Sequence, residues 1–252
     1  MALKRIIARL DIKNATVIKG IMMEGLRVVG SPVEMARSYY ENGVDEILYI
    51  DAVASLYGRS SLFDLVKESA RQVFVPMTVG GGIRSIEDAT RMLECGAEKI
   101  AINTAAVADP DLIDQLARRF GSQCVVGSVH AKKIGDGKYE AYTEYGRERV
   151  ELNLIQWCQE LESRGAGELL LTCIDRDGRK LGFDQDLLSL IAADLKIPLV
   201  CSGGISEPGY AAEAFLNGAD GVAIASALHY KTHSIHDFKT HCTKFGIGVR
   251  LA

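Results

Sequence analysis

No two of the six cysteines are spaced C-x-x-C; they stand at 95, 124, 158, 173, 201 and 242, most of them inside apolar runs. That argues against a disulfide framework or a common zinc spacing and suits a reduced, cytoplasmic interior. There is no excess of basic charge. Lys and Arg number 29 against 33 Asp and Glu, a net charge of −4, so no global field recruits nucleic acid. Charges break every apolar run well before membrane-spanning length, and neither an Arg-rich arm nor a signal peptide is read, so no membrane partner is expected. Only five prolines occur in 252 residues and no Pro/Ser-rich linker divides the chain, so one domain over residues 1–252 is expected.

What is present is a glycine-rich loop, Val79-Gly80-Gly81-Gly82-Ile83-Arg84-Ser85, and a second one, Cys201-Ser202-Gly203-Gly204-Ile205-Ser206. Gly82 and Gly204 stand 122 residues apart. The same offset relates Gly43-Val44-Asp45-Glu46 to Gly165-Ala166-Gly167-Glu168, Gly96-Ala97 to Gly218-Ala219, and Ala101-Ile102-Asn103-Thr104 to Ala223-Ile224-Ala225-Ser226. Short apolar runs alternate with longer helix-period stretches. Eight of them read as strands: Arg5–Ile12, Glu46–Asp51, Val75–Val79, Lys99–Asn103, Cys124–His130, Glu168–Ile174, Leu199–Ser202 and Gly221–Ala225. Continuous apolar runs fit parallel strands covered on both faces. Eight β-then-α units in about 250 residues make a (β/α)8 barrel of two similar half-barrels, with an open doubly wound sheet as the alternative.

Active sites of such barrels lie at the C-terminal ends of the strands. Two glycine loops there, opposite one another, can each aim backbone N–H groups at an anion. The expected ligand is long and carries a phosphate at each end. Gly81, Gly82, Asn103 and Thr104 would form one cradle; Gly203, Gly204, Ala225 and Ser226 the other, completed by Asp177 and Gly178, with Ser202 against the middle of the ligand and Thr172, at a strand end, a further substrate-binding candidate. The competing reading is that the glycines only make tight βα turns. Between the cradles, Asp11 ends the first strand and His130 the fifth, a pair able to move protons at both ends of a substrate. Their offset is 119, which places a few extra residues in the first half, in the loop after strand one. Asp11 nearby would raise the His130 pKa and favour imidazolium. The stretch Asn14 to Gly30 has little periodicity and reads as a lid from which Lys19 reaches the substrate. At the other barrel end, Arg5, Glu46, Lys99 and Glu168 each start a strand and could close a ring of alternating charge. That ring is either an ion network capping the core or a gate for a small neutral molecule. His229, His233, His236 and His241 lack a completing ligand set, so no metal is expected, and no cofactor fingerprint is present.

At these residues the chain resembles the cyclase subunit family of imidazole glycerol phosphate synthase, from Lys4-Arg5-Ile6-Ile7 to the C-terminus. The most specific pieces are Thr78–Ser85, Ile102–Val107, Phe120-Gly121-Ser122-Gln123-Cys124-Val125-Val126 and Ile174-Asp175-Arg176-Asp177-Gly178. The resemblance implies a lyase of histidine biosynthesis, a (β/α)8 barrel that receives ammonia from a glutaminase (glutamine amidotransferase) partner docked at its N-terminal face. Ammonia crosses the barrel and attacks a phosphoribulosyl formimino aminoimidazole carboxamide ribotide, a bis-phosphate. The products are imidazole glycerol phosphate and aminoimidazole carboxamide ribotide. The family's gate matches Arg5, Glu46, Lys99 and Glu168, and its strand-one acid/base matches Asp11.

Two departures stand out. The family's second catalytic aspartate is His130, and Arg9 replaces a small residue two positions before Asp11, where it could narrow the ammonia path or pair with Asp11. The stretch Asp51-Ala52-Val53-Ala54-Ser55-Leu56-Tyr57-Gly58-Arg59 looks more like a paralogous branch associated with bacterial surface-sugar amidination, which would conduct ammonia with altered or lost cyclase chemistry. Both readings keep a glutaminase partner. The isomerase one step earlier in histidine synthesis needs no gate, and the charge ring argues against it.

Overall fold

The computed structural model describes residues 3–54 and 62–251. Its centre is a closed barrel of eight parallel strands: β1 (Arg5–Lys13), β4 (Glu46–Asp51), β5 (Met77–Gly80), β6 (Lys99–Ile102), β7 (Val125–Gly135), β10 (Glu168–Cys173), β11 (Leu199–Ser202) and β12 (Gly221–Ile224), with β12 pairing back on β1. Helices pack outside, among them Ile86–Glu94, Leu154–Ser163 and Ile235–Lys244. Strands such as Glu-Ile-Leu-Tyr-Ile-Asp and Glu-Leu-Leu-Leu-Thr-Cys are buried at every position, as burial on both faces demands. Alternate residues therefore feed two cores. Ile7, Leu48, Val126, Leu170 and Val200 fill the barrel, while Ile6, Ile47, Leu169 and Leu199 meet the helices.

The half-barrel repeat is visible in the hydrogen-bond register. Asp11 pairs in register with Ile50, and His130 with Thr172, the residue 122 positions after Ile50. Ile100 pairs with Val125 in one half, and Val222 with Ile6 in the other. Asp11 and His130 are thus two-fold counterparts. The three extra residues that separate the offsets lie in the second half, as an extension of β7 beyond His130, not in a loop after strand one.

The stretch Asn14 to Gly30 is not an irregular lid. It forms β2 (Thr16–Ile21) and β3 (Glu24–Gly30), a hairpin continuing from β1. The second half repeats the device with β8 (Lys138–Thr143) and β9 (Glu148–Asn153) after β7. Both tips hold two consecutive non-glycine residues at positive φ: Met22 (52°) and Met23 (63°) in the first, Glu144 (49°) and Tyr145 (56°) in the second. The first tip is a two-residue hairpin turn, which requires that conformation and usually carries Asn-Gly or Asp-Gly; the second spans residues 144–147 and includes Gly146 at φ 78°.

Candidate active site

The two glycine loops lie at the C-terminal mouth, and their backbone is dictated by close packing. Gly81 has φ +95°, and a Cβ there would stand 2.5 Å from the Asp51 carbonyl oxygen. Its counterpart Gly203 has φ +110°, and a Cβ would stand 2.6 Å from the Cys173 oxygen. The turns require glycine whether or not an anion binds. The first loop borders a cavity of about 250 Å³ that includes Gly81, Gly82, Asn103, Thr104, His130 and Tyr145. The second borders a cavity of about 20 Å³ that includes Lys19, Asp177, Gly178, Ser202, Gly203, Gly204, Ala225 and Ser226. The cradles are equivalent by sequence and unequal in room.

Each hairpin tip is fastened to the opposite half. Met22 N–H donates to the Asp177 carbonyl (2.8 Å) and Met23 N–H to the Asp177 carboxylate (3.3 Å). Glu144 N–H donates to Thr104 Oγ1 (3.1 Å), and Asn103 Nδ2 donates to the Ser128 carbonyl (2.8 Å) and the Tyr142 carbonyl (3.3 Å). Asn103, Thr104 and Asp177 therefore line the cavities and also hold the hairpins, and Gly178 lines the second cavity where its backbone packs against Gly20. Lys19 lies on β2, buried, with Nζ 2.7 Å from the Asp177 carboxylate, so it reaches the mouth from a strand rather than from a mobile loop.

Between the cradles sits a buried polar cluster. Arg9, 2 % exposed, donates from Nε to Asp11 Oδ1 (3.0 Å), and its Nη2 forms an ion pair with the same oxygen at 2.9 Å. Its Nη1 donates to Thr172 Oγ1 and Ser202 Oγ, each at 2.9 Å. Burial works against this charge, but Asp11, helped by Tyr145 and Asp177, holds the guanidinium protonated above its usual value. The Tyr145 phenol is buried near Asp11; burial first, then the carboxylate, pushes its pKa well up. His130 meets Tyr145 edge to face, with ring centroids 6.3 Å apart.

Three expectations change here. His130 is not driven toward imidazolium: burial, reinforced by the Arg9 charge, lowers its pKa to about 3 against the opposing effect of Asp11. Its Nδ1 is buried with no hydrogen-bond partner among the described residues. Thr172 borders neither cavity, and both Thr172 and Ser202 have Arg9 as a partner. Arg9 pairs with Asp11 and fills the lumen as well. The place of Tyr145 depends on the hairpin, whose turn signals in the sequence are Asp136-Gly137 and the single Gly146.

At the opposite end the four charges do form a closed ring. Arg5 reaches Glu46 (2.9 Å) and Glu168 (2.8 Å), and Lys99 reaches the same two carboxylates (2.8 and 3.1 Å). Thr78 adds a hydroxyl bond to Glu46 that the sequence did not announce.

A family profile described as "Histidine biosynthesis protein" matches residues 5–234. Three relatives carry the name imidazole glycerol phosphate synthase subunit HisF. The protein from Legionella pneumophila is 52 % identical over 203 residues, covering 81 % of this chain and 96 % of its own. That from Wolinella succinogenes is 45 % identical, covering 98 % of both chains. That from a Thermotoga species is 43 % identical, covering 100 % of this chain and 99 % of its own. The chain is similar to these proteins along nearly its whole length. The stretch likened to a paralogous branch falls partly outside the described residues, at 55–59.

Proposed function

The chain belongs to the histidine biosynthesis protein family, in the company of imidazole glycerol phosphate synthase HisF subunits, and from that premise we propose that it is the cyclase/lyase subunit of such a synthase. The relatives' names favour this over ammonia delivery to a surface-sugar pathway. The observation that carries the chemistry is a pair of two-fold-related glycine loops on opposite sides of one mouth, with Asp11 buried between them. A bis-phosphorylated ribulosyl ribotide has an anion for each loop and its reacting atoms in the middle.

Ammonia attacking that substrate must shed protons as the ring closes, and the departing ribotide must gain one. Asp11 is the acid/base for these transfers. Arg9 engages only its Oδ1, so Oδ2 lies outside that pair. His130, whose lowered pKa makes it a weak base, is the second group at the reacting centre and acts as a neutral imidazole that orients the substrate rather than as a proton acceptor. Lys19, on Asp177, supplies positive charge at the second cradle. Gly81, Gly82, Asn103 and Thr104 hold one phosphate; Gly178, Ser202, Gly203, Gly204, Ala225 and Ser226 hold the other.

The partner is a glutaminase subunit, and its docking site is the N-terminal barrel face. Support for that face comes from the ring of Arg5, Glu46, Lys99 and Glu168, which stands at the strand starts and encircles the entrance to the lumen. No helix among the described residues is long and apolar enough to cross a membrane, and the proposed setting is the cytoplasm. The test is glutamine-supported formation of imidazole glycerol phosphate by this chain mixed with its glutaminase partner. Product formation from glutamine supports the whole reading. Product from an ammonium salt but not from glutamine removes the partner, and product from neither removes the reaction.

A further inference from the structure

We propose, resting on the ammonia route just described, that Arg9 is a second barrier in the barrel lumen, on the mouth side of the charge ring and held closed by Thr172 and Ser202. Side chains two apart on a strand share a face. Along β1, Arg5 belongs to the ring, Ile7 follows and Arg9 comes next; along β10, Glu168 belongs to the ring, Leu170 follows and Thr172 comes next. One apolar layer, with Ile7 and Leu170 in it, therefore separates the ring from the guanidinium. From β1 that guanidinium reaches past β12 to hydroxyls on β11 and β10, the second and third strands round the barrel.

Symmetry sharpens the point. The counterpart of Arg9 in the other half is Ser128, and the counterparts of Thr172 and Ser202 are Ile50 and Gly80. The cation and its two hydroxyls form a set that only one half carries. Barrel interiors are packed layer by layer, so a small neutral molecule that has crossed the Ile7–Leu170 layer meets this guanidinium before it reaches Asp11. Passage requires the bonds to Thr172 and Ser202 to open. Ser202 also borders the second cradle. A phosphate bound there competes for both the Ser202 hydroxyl and the guanidinium, which couples opening of the barrier to occupancy of the mouth.

The test compares two ammonia sources within each protein. Ammonia from an ammonium salt at alkaline pH enters by the mouth and avoids Arg9; ammonia from glutamine in the glutaminase complex must pass it. The ratio of glutamine-supported to ammonium-supported turnover therefore reports the barrier and cancels effects on Asp11. Thr172→Val, which keeps side-chain size, should raise the ratio about tenfold, the rate equivalent of one hydrogen bond to a charged group. Arg9→Ala should raise it further. An unchanged ratio in the Thr172→Val protein overturns the proposal even if Arg9→Ala fails to fold. Should the wild type make no product from ammonium salt, the reaction is wrong but the barrier is still measurable. Ammonia escaping from the complex during glutamine hydrolysis should then rise in Thr172→Val, and an unchanged escape overturns the barrier.

Discussion

Acidification should unfold this protein by charging two buried imidazoles, and His130 lets the size of the effect be worked out. Burial, with Arg9 beside it, lowers its pKa to about 3 in the fold, whereas in the unfolded chain it returns to about 6.5. Between those values the unfolded state binds more protons than the native one, so stability is complete above about pH 6.5 and falls as the pH drops toward 3. At pH 5 the loss from His130 is about 2 kcal/mol relative to pH 8. His229, lowered to about 4 chiefly by burial and bonded through Nδ1 to the Tyr39 hydroxyl at 2.7 Å, adds a similar amount. Urea unfolding of the wild type and of His130→Asn at both pH values isolates the first term. The variant should lose about 2 kcal/mol less than the wild type on going from pH 8 to pH 5, whatever its stability at pH 8. Equal losses, or a His130 imidazole that titrates near 6.5 by NMR, would refute the reasoning and restore an imidazolium to the mouth.

Three other substitutions probe the cluster. Lys19→Met leaves Asp177 buried without its cation and should cost about 3–5 kcal/mol in denaturant unfolding; a cost below about 1 kcal/mol would mean that the pair is solvated. Gly81→Ala places a methyl 2.5 Å from the Asp51 carbonyl. It should lower the thermal midpoint and weaken imidazole glycerol phosphate binding by calorimetry, and unchanged binding would remove the first loop from the phosphate site. Tyr145→Phe removes the hydroxyl near Asp11 while keeping the ring against His130, and substrate binding should stay unchanged. Weaker binding would instead make Tyr145 a substrate contact.

The barrel was legible because its strands are written as unbroken apolar runs, Glu46–Asp51 and Glu168–Cys173 above all, and because the 122-residue offset survives in the register. The charge ring was legible for a related reason: a charged residue at the start of a buried strand needs partners, and four such starts converge. The hairpins were not legible. Met22-Met23 makes a left-handed turn without glycine, and in the second tip Glu144-Tyr145 turns left-handed ahead of the single Gly146, so little local signal marks them. Thr172 was misjudged, and Ser202 only half read, because polar residues at barrel strand ends usually face ligand. Here a cation 163 and 193 residues away in sequence takes their hydroxyls, a pairing that only the closed barrel creates. The neutral state of His130 is likewise a product of enclosure. Sequence placed Asp11 near it, but burial and Arg9 outweigh that carboxylate.

The most direct measurement is cyclisation of the ribulosyl ribotide by this chain alone, supplied with an ammonium salt at alkaline pH, in the wild type and in Asp11→Asn. No partner and no passage through the lumen are needed, so the result reports the chemistry at the mouth. The account predicts imidazole glycerol phosphate and aminoimidazole carboxamide ribotide in equal amounts from the wild type, and a turnover at least about 100-fold lower in Asp11→Asn, the scale of a lost acid/base group. Tight binding of the ribotide without turnover in the wild type, or full turnover in Asp11→Asn, would contradict it.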